Sequence, residues 1–273
     1  MDLIVLIPAS LAVGLIVGVL AGLLGVGGGT IMVPAFRLVY NMSAITATAT
    51  SLLTIVPTSV AGMITHIRNK TCYPAVGVTA GLGGACTSWI GVMAASHSPS
   101  WCVMAAAACV ILYSASTMLK KALAMKPEGK KEDKAAAPAP AAADDFQVTK
   151  NVLIKAALIG ALAGVISGYV GVGGGFLMVP MFLSVLGLSM KKASGTSLVG
   201  IGILVLPALA TQVMLGNIDW IPGLACIVGS MPGATLGAKL QQKLPERTLR
   251  FCFAGLLGVA AVLLVVKETG LMG

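Results

Sequence analysis

Residues 22–36 read GLLGVGGGTIMVPAF, and residues 168–182 read GYVGVGGGFLMVPMF. The two stretches are identical at ten of fifteen positions and lie at a constant offset of 146 residues. Three adjacent glycines interrupt a helix, because glycine is flexible and among the poorest helix formers. In the first half, we therefore predict an apolar helix followed by a short segment of about eleven residues that ends near residues 34–40. The same break is predicted before Pro180.

The chain is dominated by long apolar runs, more than a water-soluble domain of 273 residues needs. Apolar residues make up 57% of the sequence and charged residues only 10%, so lipid is the expected solvent. The uncharged apolar runs cover residues 3–24, 44–65, 74–95, 101–119, 156–186, 193–215, 220–238 and 251–266. Most approach the roughly 20 residues that cross a hydrocarbon core. Because they lack the alternation of barrel strands, we predict an all-α integral membrane protein.

The likeness between the glycine stretches extends over both halves of the chain. At the same offset, Gly14, Gly18, Gly22 and residues 50–52 (TSL) fall on Gly160, Gly164, Gly168 and residues 196–198 (TSL). We therefore predict two membrane repeats, at residues 1–119 and 151–273. The first apolar run follows Asp2, lacks a basic segment before it and matches an internal run. We expect it to be retained rather than removed as a signal peptide.

A segment of different composition separates the repeats. Residues 120–150 (KKALAMKPEGKKEDKAAAPAPAAADDFQVTK) are rich in Lys, Ala and Pro and show no apolar periodicity. This composition is typical of a flexible, solvated linker. Because no aromatic residues are interleaved with the basic ones, we favour a topology signal over nucleic-acid binding. Attraction to anionic lipid head groups is a second role open to it.

The distribution of Lys and Arg indicates how the repeats are oriented. If each glycine stretch forms a hairpin on one face, followed by three crossings, the repeats are inverted and sixteen of eighteen basic residues lie on the linker side. These are Arg68, Lys70, Lys120, Lys121, Lys126, Lys130, Lys131, Lys134, Lys150, Lys155, Lys191, Lys192, Lys239, Lys243, Arg247 and Arg250. Four crossings per half make the repeats parallel, and the split becomes eleven to seven. The positive-inside rule therefore predicts two inverted repeats in the cell inner membrane, with a cytoplasmic linker.

The glycine stretches also predict a place for an anion. Glycine permits positive φ, so consecutive amides can turn towards one point while the following half-helix presents its positive N-terminal end. Irregular backbone at membrane depth is tolerated where it is buried in protein or lines a cavity, as in inverted-repeat transporters. The predicted anion-binding glycines are Gly25, Gly27, Gly28, Gly29, Gly171, Gly173, Gly174 and Gly175. Helix packing is the alternative role, and we prefer it for the glycines at four-residue spacing, such as Gly14.

Several polar side chains complete the predicted substrate-binding set. They are Thr30, which follows the first glycine stretch, Thr50, Ser51, Thr196 and Ser197 on the next helix of each half, and His66 and Gln212. The hydroxyls can donate to an anion, although hydroxyls in membrane helices also bond their own helix or a neighbouring one. His66 aligns with Gln212 beside a predicted cytoplasmic boundary, which favours interfacial hydrogen bonding over a proton relay.

The sequence offers little for catalysis, metal binding or ion coupling. No Asp or Glu lies within an apolar run, and Asp219, near a helix end, is the closest. The six cysteines show no CxxC or Cys/His pairing. We therefore expect no catalytic residues, no metal and no other cofactor, and a proton- or sodium-coupled mechanism lacks its usual carboxylate.

The duplicated pattern GxGGGxxxxP, at residues 25–34 and 171–180, resembles the sulfite exporter TauE/SafE family of membrane permeases. The likeness covers both halves and leaves out the linker. It implies transport of small sulfur-containing anions such as sulfite, thiosulfate or organosulfonates. We predict an exporter that works by alternating access around a midplane anion site. A passive anion channel and a membrane scaffold or sensor that moves nothing are the alternatives, and an integral-membrane enzyme is the least favoured.

Overall fold

The computed structural model describes residues 3–124 and 146–268, and all regular secondary structure within these ranges is helical. In chain order the helices are α1 (Leu3–Leu24), α2 (Gly29–Val39), α3 (Ala44–Arg68), α4 (Pro74–Ser96), α5 (Ser100–Ala124), α6 (Lys150–Val170), α7 (Gly175–Val185), α8 (Met190–Met214), α9 (Trp220–Gln241) and α10 (Glu246–Glu268). The predicted all-α class is confirmed. Most of the predicted linker, residues 125–145, lies outside the described residues.

Seven of the described helices are long and apolar enough to cross a membrane, namely α1, α3, α4, α5, α6, α8 and α9. Their outward surfaces carry large apolar side chains such as Leu158 and Val228, which are 66% and 65% exposed. Apolar surface on this scale is stable against lipid rather than water. α10 is not among the seven, and its first five residues include Glu246, Arg247 and Arg250.

Both glycine stretches break a helix at the predicted place. Loop 1 (residues 25–28) joins α1 to α2, and loop 2 (residues 171–174) joins α6 to α7. α2 and α7 are each eleven residues long. At 1.5 Å per residue each half-helix spans about 16 Å, roughly half of a hydrocarbon core. The predicted broken helices and the predicted length of the short segments are confirmed.

After loop 1 the chain folds back alongside α1. The hydroxyl oxygen of Tyr40, which directly follows α2, lies 2.6 Å from Ser10 Oγ in the first half of α1. α2 therefore runs back towards the side from which α1 started. In the second half, α7 likewise contacts α6 and continues to α8.

The two halves are intertwined through their first and fourth helices. α1 packs along α9 of the other half, and α6 packs along α4. At three levels of each pair a glycine faces the partner backbone so closely that a Cβ atom would overlap a carbonyl oxygen. The facing pairs are Gly14 with Cys226, Gly18 with Ser230, Gly22 with Ala234, Gly160 with Ala80, Gly164 with Gly84 and Gly168 with Ser88. These contacts confirm the packing role predicted for the six glycines.

α3 and α8 lie at the centre of the bundle. α3 packs against α8 and α9, and α8 packs against α3 and α4. Gly62 faces Leu198 and Gly202 faces Ser59, so α3 and α8 cross in opposite directions. The ascending order of the glycine contacts shows that α1 runs parallel to α9 and α6 runs parallel to α4. Loops 1 and 2 are thereby brought against the two central helices.

Candidate functional site

Loops 1 and 2 touch each other at the centre of the bundle. A Cβ atom on Gly29 would overlap the carbonyl oxygen of Val172, and one on Gly175 would lie 2.6 Å from the carbonyl oxygen of Gly25. Both loops and the first residues of both half-helices are buried. The structure therefore brings the eight glycines predicted from the sequence together in one place.

The two loops follow the same backbone course, and that course requires glycine. Side chains with a Cβ atom rarely adopt positive φ, because Cβ approaches the backbone too closely. The positive φ angles are 74° at Gly25, 79° at Gly27, 86° at Gly28, 72° at Gly171, 88° at Gly173 and 66° at Gly174. The repeated sequence thus encodes a repeated left-handed turn.

The loops carry backbone donors that the protein does not use. The N–H groups of Gly25 and Gly171 close the preceding helices. Within the described residues, the next three amides of each loop, at positions 26–28 and 172–174, donate to no protein oxygen. In the first turns of the half-helices, the Gly175 amide donates to Gly173, and the amides of Ile31 and Leu177 donate to Gly28 and Gly174. The amides of Gly29, Thr30 and Phe176 have no acceptor within the described residues, as is usual at a helix N-terminus. Each loop therefore combines free donors with the positive end of a helix dipole.

Each loop is held by a serine of the other half. Ser51 Oγ on α3 donates to the carbonyl oxygen of Gly171 at 2.5 Å. Ser197 Oγ on α8 donates to the carbonyl oxygen of Gly25 at 2.7 Å. Each Oγ also reaches a carbonyl of its own helix, since Ser51 Oγ lies 2.7 Å from the carbonyl oxygen of Thr48 and Ser197 Oγ lies 2.8 Å from that of Ser194. A serine hydroxyl has a single hydrogen, and here it is shared between two protein carbonyls. The two serines therefore position the loops instead of presenting a free hydrogen to a ligand.

Thr50 and Thr196, beside those serines, secure other helices. Thr50 Oγ1 accepts a hydrogen bond from the Asp219 amide at 3.1 Å, and Thr196 Oγ1 accepts one from the Tyr73 amide at 2.9 Å. Asp219 and Tyr73 directly precede α9 and α4. The two threonines thus fix the starts of α9 and α4 against the central helices.

His66 and Gln212 form hydrogen bonds near the ends of α3 and α8, away from the loops. The His66 ring nitrogens lie 2.8 Å from Thr71 Oγ1 and 3.0 Å from the carbonyl oxygen of Gly22, so the ring joins the end of α3 to the end of α1. Gln212 Oε1 accepts from Asn217 Nδ2 at 2.8 Å. The ring of His66, in the last turn of α3, is fully buried within the bundle. The close approach of α1 to α9 at Gly22 encloses this end of α1, and no pattern in α3 alone reports that contact.

Two buried hydroxyls near the loops have no partner within the described residues. Thr30 is the second residue of α2, and its Oγ1 makes no hydrogen bond. Ser167 lies one turn before loop 2, and its Oγ is also unpaired. The sequence prediction included Thr30 but missed Ser167, whose counterpart in the first half is Ala21. A comparison of the two halves for hydroxyl residues beside the glycines that have no hydroxyl counterpart in the other half would have found it.

Two isoleucines cover the loops. A Cβ atom on Gly173 would lie 2.8 Å from Ile55 Cδ1, and one on Gly27 would lie 3.0 Å from Ile201 Cγ2. Both isoleucines are fully buried and exclude water from the loops. The sequence prediction missed them, although each lies four residues after a loop-holding serine and thus on the same helix face. Within the described residues no group of three His, Cys, Asp or Glu side chains could hold a metal ion.

A cavity of about 440 Å³ lies at the far end of α2. It is lined by Leu6, Val39, Tyr40, Asn41, Met42, Asp219 and Pro222. These residues belong to the side of the bundle on which α1, α3 and α9 begin. The cavity therefore lies at the open end of the first hairpin, about one half-helix length from loop 1, or roughly 16 Å.

Removing either loop-holding serine should destabilise the protein. Ser51→Ala or Ser197→Ala leaves a buried loop carbonyl without its donor, and we expect a loss of about 1–3 kcal/mol. Thermal unfolding of the detergent-solubilised protein measures this loss. Ser114→Ala is the matched control, because Ser114 Oγ is buried without a partner. Equal unfolding temperatures for all three variants would show that the two hydrogen bonds do not hold the loops.

Comparison with known proteins gives one family and several full-length relatives. The sequence profile of the family described as Sulfite exporter TauE/SafE matches residues 10–264. The chain is 30% identical over 284 residues to a "Probable membrane transporter protein" of Haemophilus influenzae, with 94% of this chain and 97% of that protein covered. It is 29% identical to "Probable membrane transporter protein YunE" of Bacillus subtilis, with 86% and 89% covered, and 25% identical to YdhB of the same organism, with 92% and 96% covered. No solved structure matches the chain.

Proposed function

The chain belongs to the sulfite exporter TauE/SafE family of membrane transporters, and from this premise we propose that it exports small sulfur-containing anions such as sulfite, thiosulfate or organosulfonates. The observation that carries the proposal is the contact between loops 1 and 2. Their free amides and helix N-termini can donate hydrogen bonds to the oxygens of an anion without any charged side chain. We place the bound anion between the loops, near the middle of the membrane.

An inverted arrangement of the repeats supports alternating access. α3 and α8 are equivalent helices of the two halves and cross in opposite directions. Together with the sixteen-to-two charge split, this geometry supports a pseudo-two-fold axis in the membrane plane. Rocking of one repeat against the other would then open the loops to each side in turn. The cavity at the end of α2 supports an opening on the side opposite the linker, and the positive-inside rule supports a cytoplasmic linker.

The inverted topology predicts the accessibility of two positions. Single cysteines at Lys243 and Ser98, introduced into a cysteine-free background, should react with a membrane-impermeant thiol reagent from opposite faces of the inner membrane. The order α3, α4, α5 places Ser98 on the far side from Lys70, and the Lys191 ammonium reaches the carbonyl of Gln242 beside Lys243. Labelling of both positions from one face would contradict inversion.

Transport should be electrogenic and favour exit of the anion. An interior-negative potential favours anion efflux by about 2.3 kcal/mol per charge per 100 mV. The described spans present no carboxylate at the loops that could carry a coupling proton. In proteoliposomes, efflux of sulfite should increase with an imposed interior-negative potential. Strict dependence on a pH gradient, with no response to potential, would contradict this mechanism.

Proteoliposomes also separate the transporter from its alternatives. We expect saturable movement of sulfite, thiosulfate or sulfoacetate, with turnover in the range of a carrier. A passive anion channel would instead give single-channel conductance, and a scaffold or sensor would move none of these anions. Empty liposomes and liposomes with the Gly28→Val variant are the controls.

A further inference from the structure

The two-fold likeness of the site ends at Thr30 and Phe176. These residues lie at the same offset of 146, and each is the second residue of its half-helix. Residues 25–29 are identical to residues 171–175, position by position. Both Thr30 and Phe176 are fully buried. The second residue of α2 thus carries a buried hydroxyl where the second residue of α7 carries a buried aromatic ring.

The hydroxyl of Thr30 is unused within the described chain. Its Oγ1 is buried and forms no hydrogen bond. Other buried threonines bond a carbonyl of their own helix, such as Thr54 to Ser51 at 2.8 Å and Thr58 to Thr54 at 2.6 Å. At the second residue of α2 the preceding residues are loop 1, whose positive φ angles depart from the helical course. Within residues 3–124 and 146–268, four buried serines also lack a partner, but none belongs to a loop or a half-helix.

Phe176, the residue of α7 equivalent to Thr30, has no hydrogen-bond donor in its side chain. It belongs to the apolar core cluster that also contains Ile55 and Val172. An anion oxygen that faces the Phe176 ring would lose its hydrogen bonds to water without gaining one from the protein, which is unfavourable. A larger, weakly hydrated sulfur atom or an alkyl group would lose little hydration free energy in the same place.

We propose that Thr30 donates its hydroxyl hydrogen to the bound anion and that Phe176 covers the other end, so that the pair selects sulfur oxyanions in which one end is not oxygen. This inference rests on the proposed function, because it places the anion between the two loops. Thiosulfate and sulfate provide the sharpest comparison. Both are tetrahedral dianions, and they differ by one terminal sulfur in place of one oxygen.

Calorimetry on the purified full-length protein tests the pair. The parent should bind thiosulfate at least about tenfold more tightly than sulfate, since one sulfate oxygen faces no donor. Thr30→Val should weaken thiosulfate binding by at least about tenfold, because a hydrogen bond to a charged group is lost. Thr30→Ser retains the hydroxyl and should bind nearly as the parent does. Thr54→Val, which removes an equally buried hydroxyl that bonds its own helix, is the matched control.

The outcomes separate this inference from the proposed function. If the parent binds sulfate as tightly as thiosulfate, or if Thr30→Val binds like the parent, the inference is wrong while the anion site stands. If the parent binds no sulfur oxyanion, the proposed function itself fails. Should Thr30→Val not purify as folded protein, the comparison of the two anions on the parent decides alone.

Discussion

Gly28→Val and Gly174→Val should each weaken anion binding by at least about tenfold, because each disturbs a loop whose amides donate hydrogen bonds to the bound anion. Gly28 has φ 86° and Gly174 has φ 66°. A β-branched residue resists this conformation, and its methyl groups obstruct the approach of a ligand to the amides. The Cβ atom itself meets only side chains: Val17 Cγ1 would lie 3.4 Å from it at position 28, and Leu204 Cδ2 would lie 3.3 Å from it at position 174 and must move by a few tenths of an ångström. We therefore expect both variants to insert and purify.

Gly216→Val is the matched control for backbone strain. Gly216 has φ 68°, and in the part of the chain that the structure describes no atom lies within 4 Å of the position of its Cβ. It lies in the turn between α8 and α9, so the variant carries the same conformational cost, about 1–2 kcal/mol, without touching the loops. Binding should be unchanged in this variant. If both loop variants bind like the parent in calorimetry, the glycines serve packing alone and the anion binds elsewhere.

Gly160→Ala should cause the largest loss of stability among single methyl additions. The added methyl would overlap the carbonyl oxygen of Ala80, and a backbone atom cannot turn aside as a side chain can. α6 and α4 must then separate along their length, at a cost of about 3 kcal/mol. The unfolding temperature of the detergent-solubilised protein and its yield measure the effect.

Gly258→Ala provides the control for this variant. No atom of the described residues lies within 4 Å of the Cβ position of Gly258 in α10, so the added methyl should be neutral or slightly stabilising. An unfolding temperature for Gly160→Ala equal to that of Gly258→Ala would show that α4 and α6 do not depend on glycine contact.

Local sequence features predicted the parts of the fold that depend on local chemistry. Apolar runs predicted the spanning helices, because lipid leaves a span no other partner for its backbone. The run at residues 156–186 contains no charge, yet its glycines correctly predicted a break, which the structure places at residues 171–174. Four-residue glycine spacing predicted close packing, and Gly14, Gly18 and Gly22 indeed face another backbone.

The sequence did not predict which elements meet. Nothing in α1 indicates that its glycines face α9 of the other half, since glycine marks a close approach but not the partner. The hydroxyl of Ser51 was predicted to face a ligand, and only the fold shows that the carbonyl of Gly171 lies within its reach. His66 is buried for the same kind of reason, through contacts of α1 with α9. The role of such a side chain depends on which distant segments pack against it, and a single sequence does not show this.

The most direct test of the central claim is the position of a bound anion. Crystals of the protein soaked with selenite, in which selenium replaces the sulfur of sulfite, would locate the anion by anomalous diffraction. The selenium should lie within about 4 Å of amide nitrogens of both loop 1 and loop 2, the distance set by N–H···O hydrogen bonds to its oxygens. A selenium peak confined to one loop, or to the cavity lined by Tyr40 and Asp219, would contradict a shared site between the repeats.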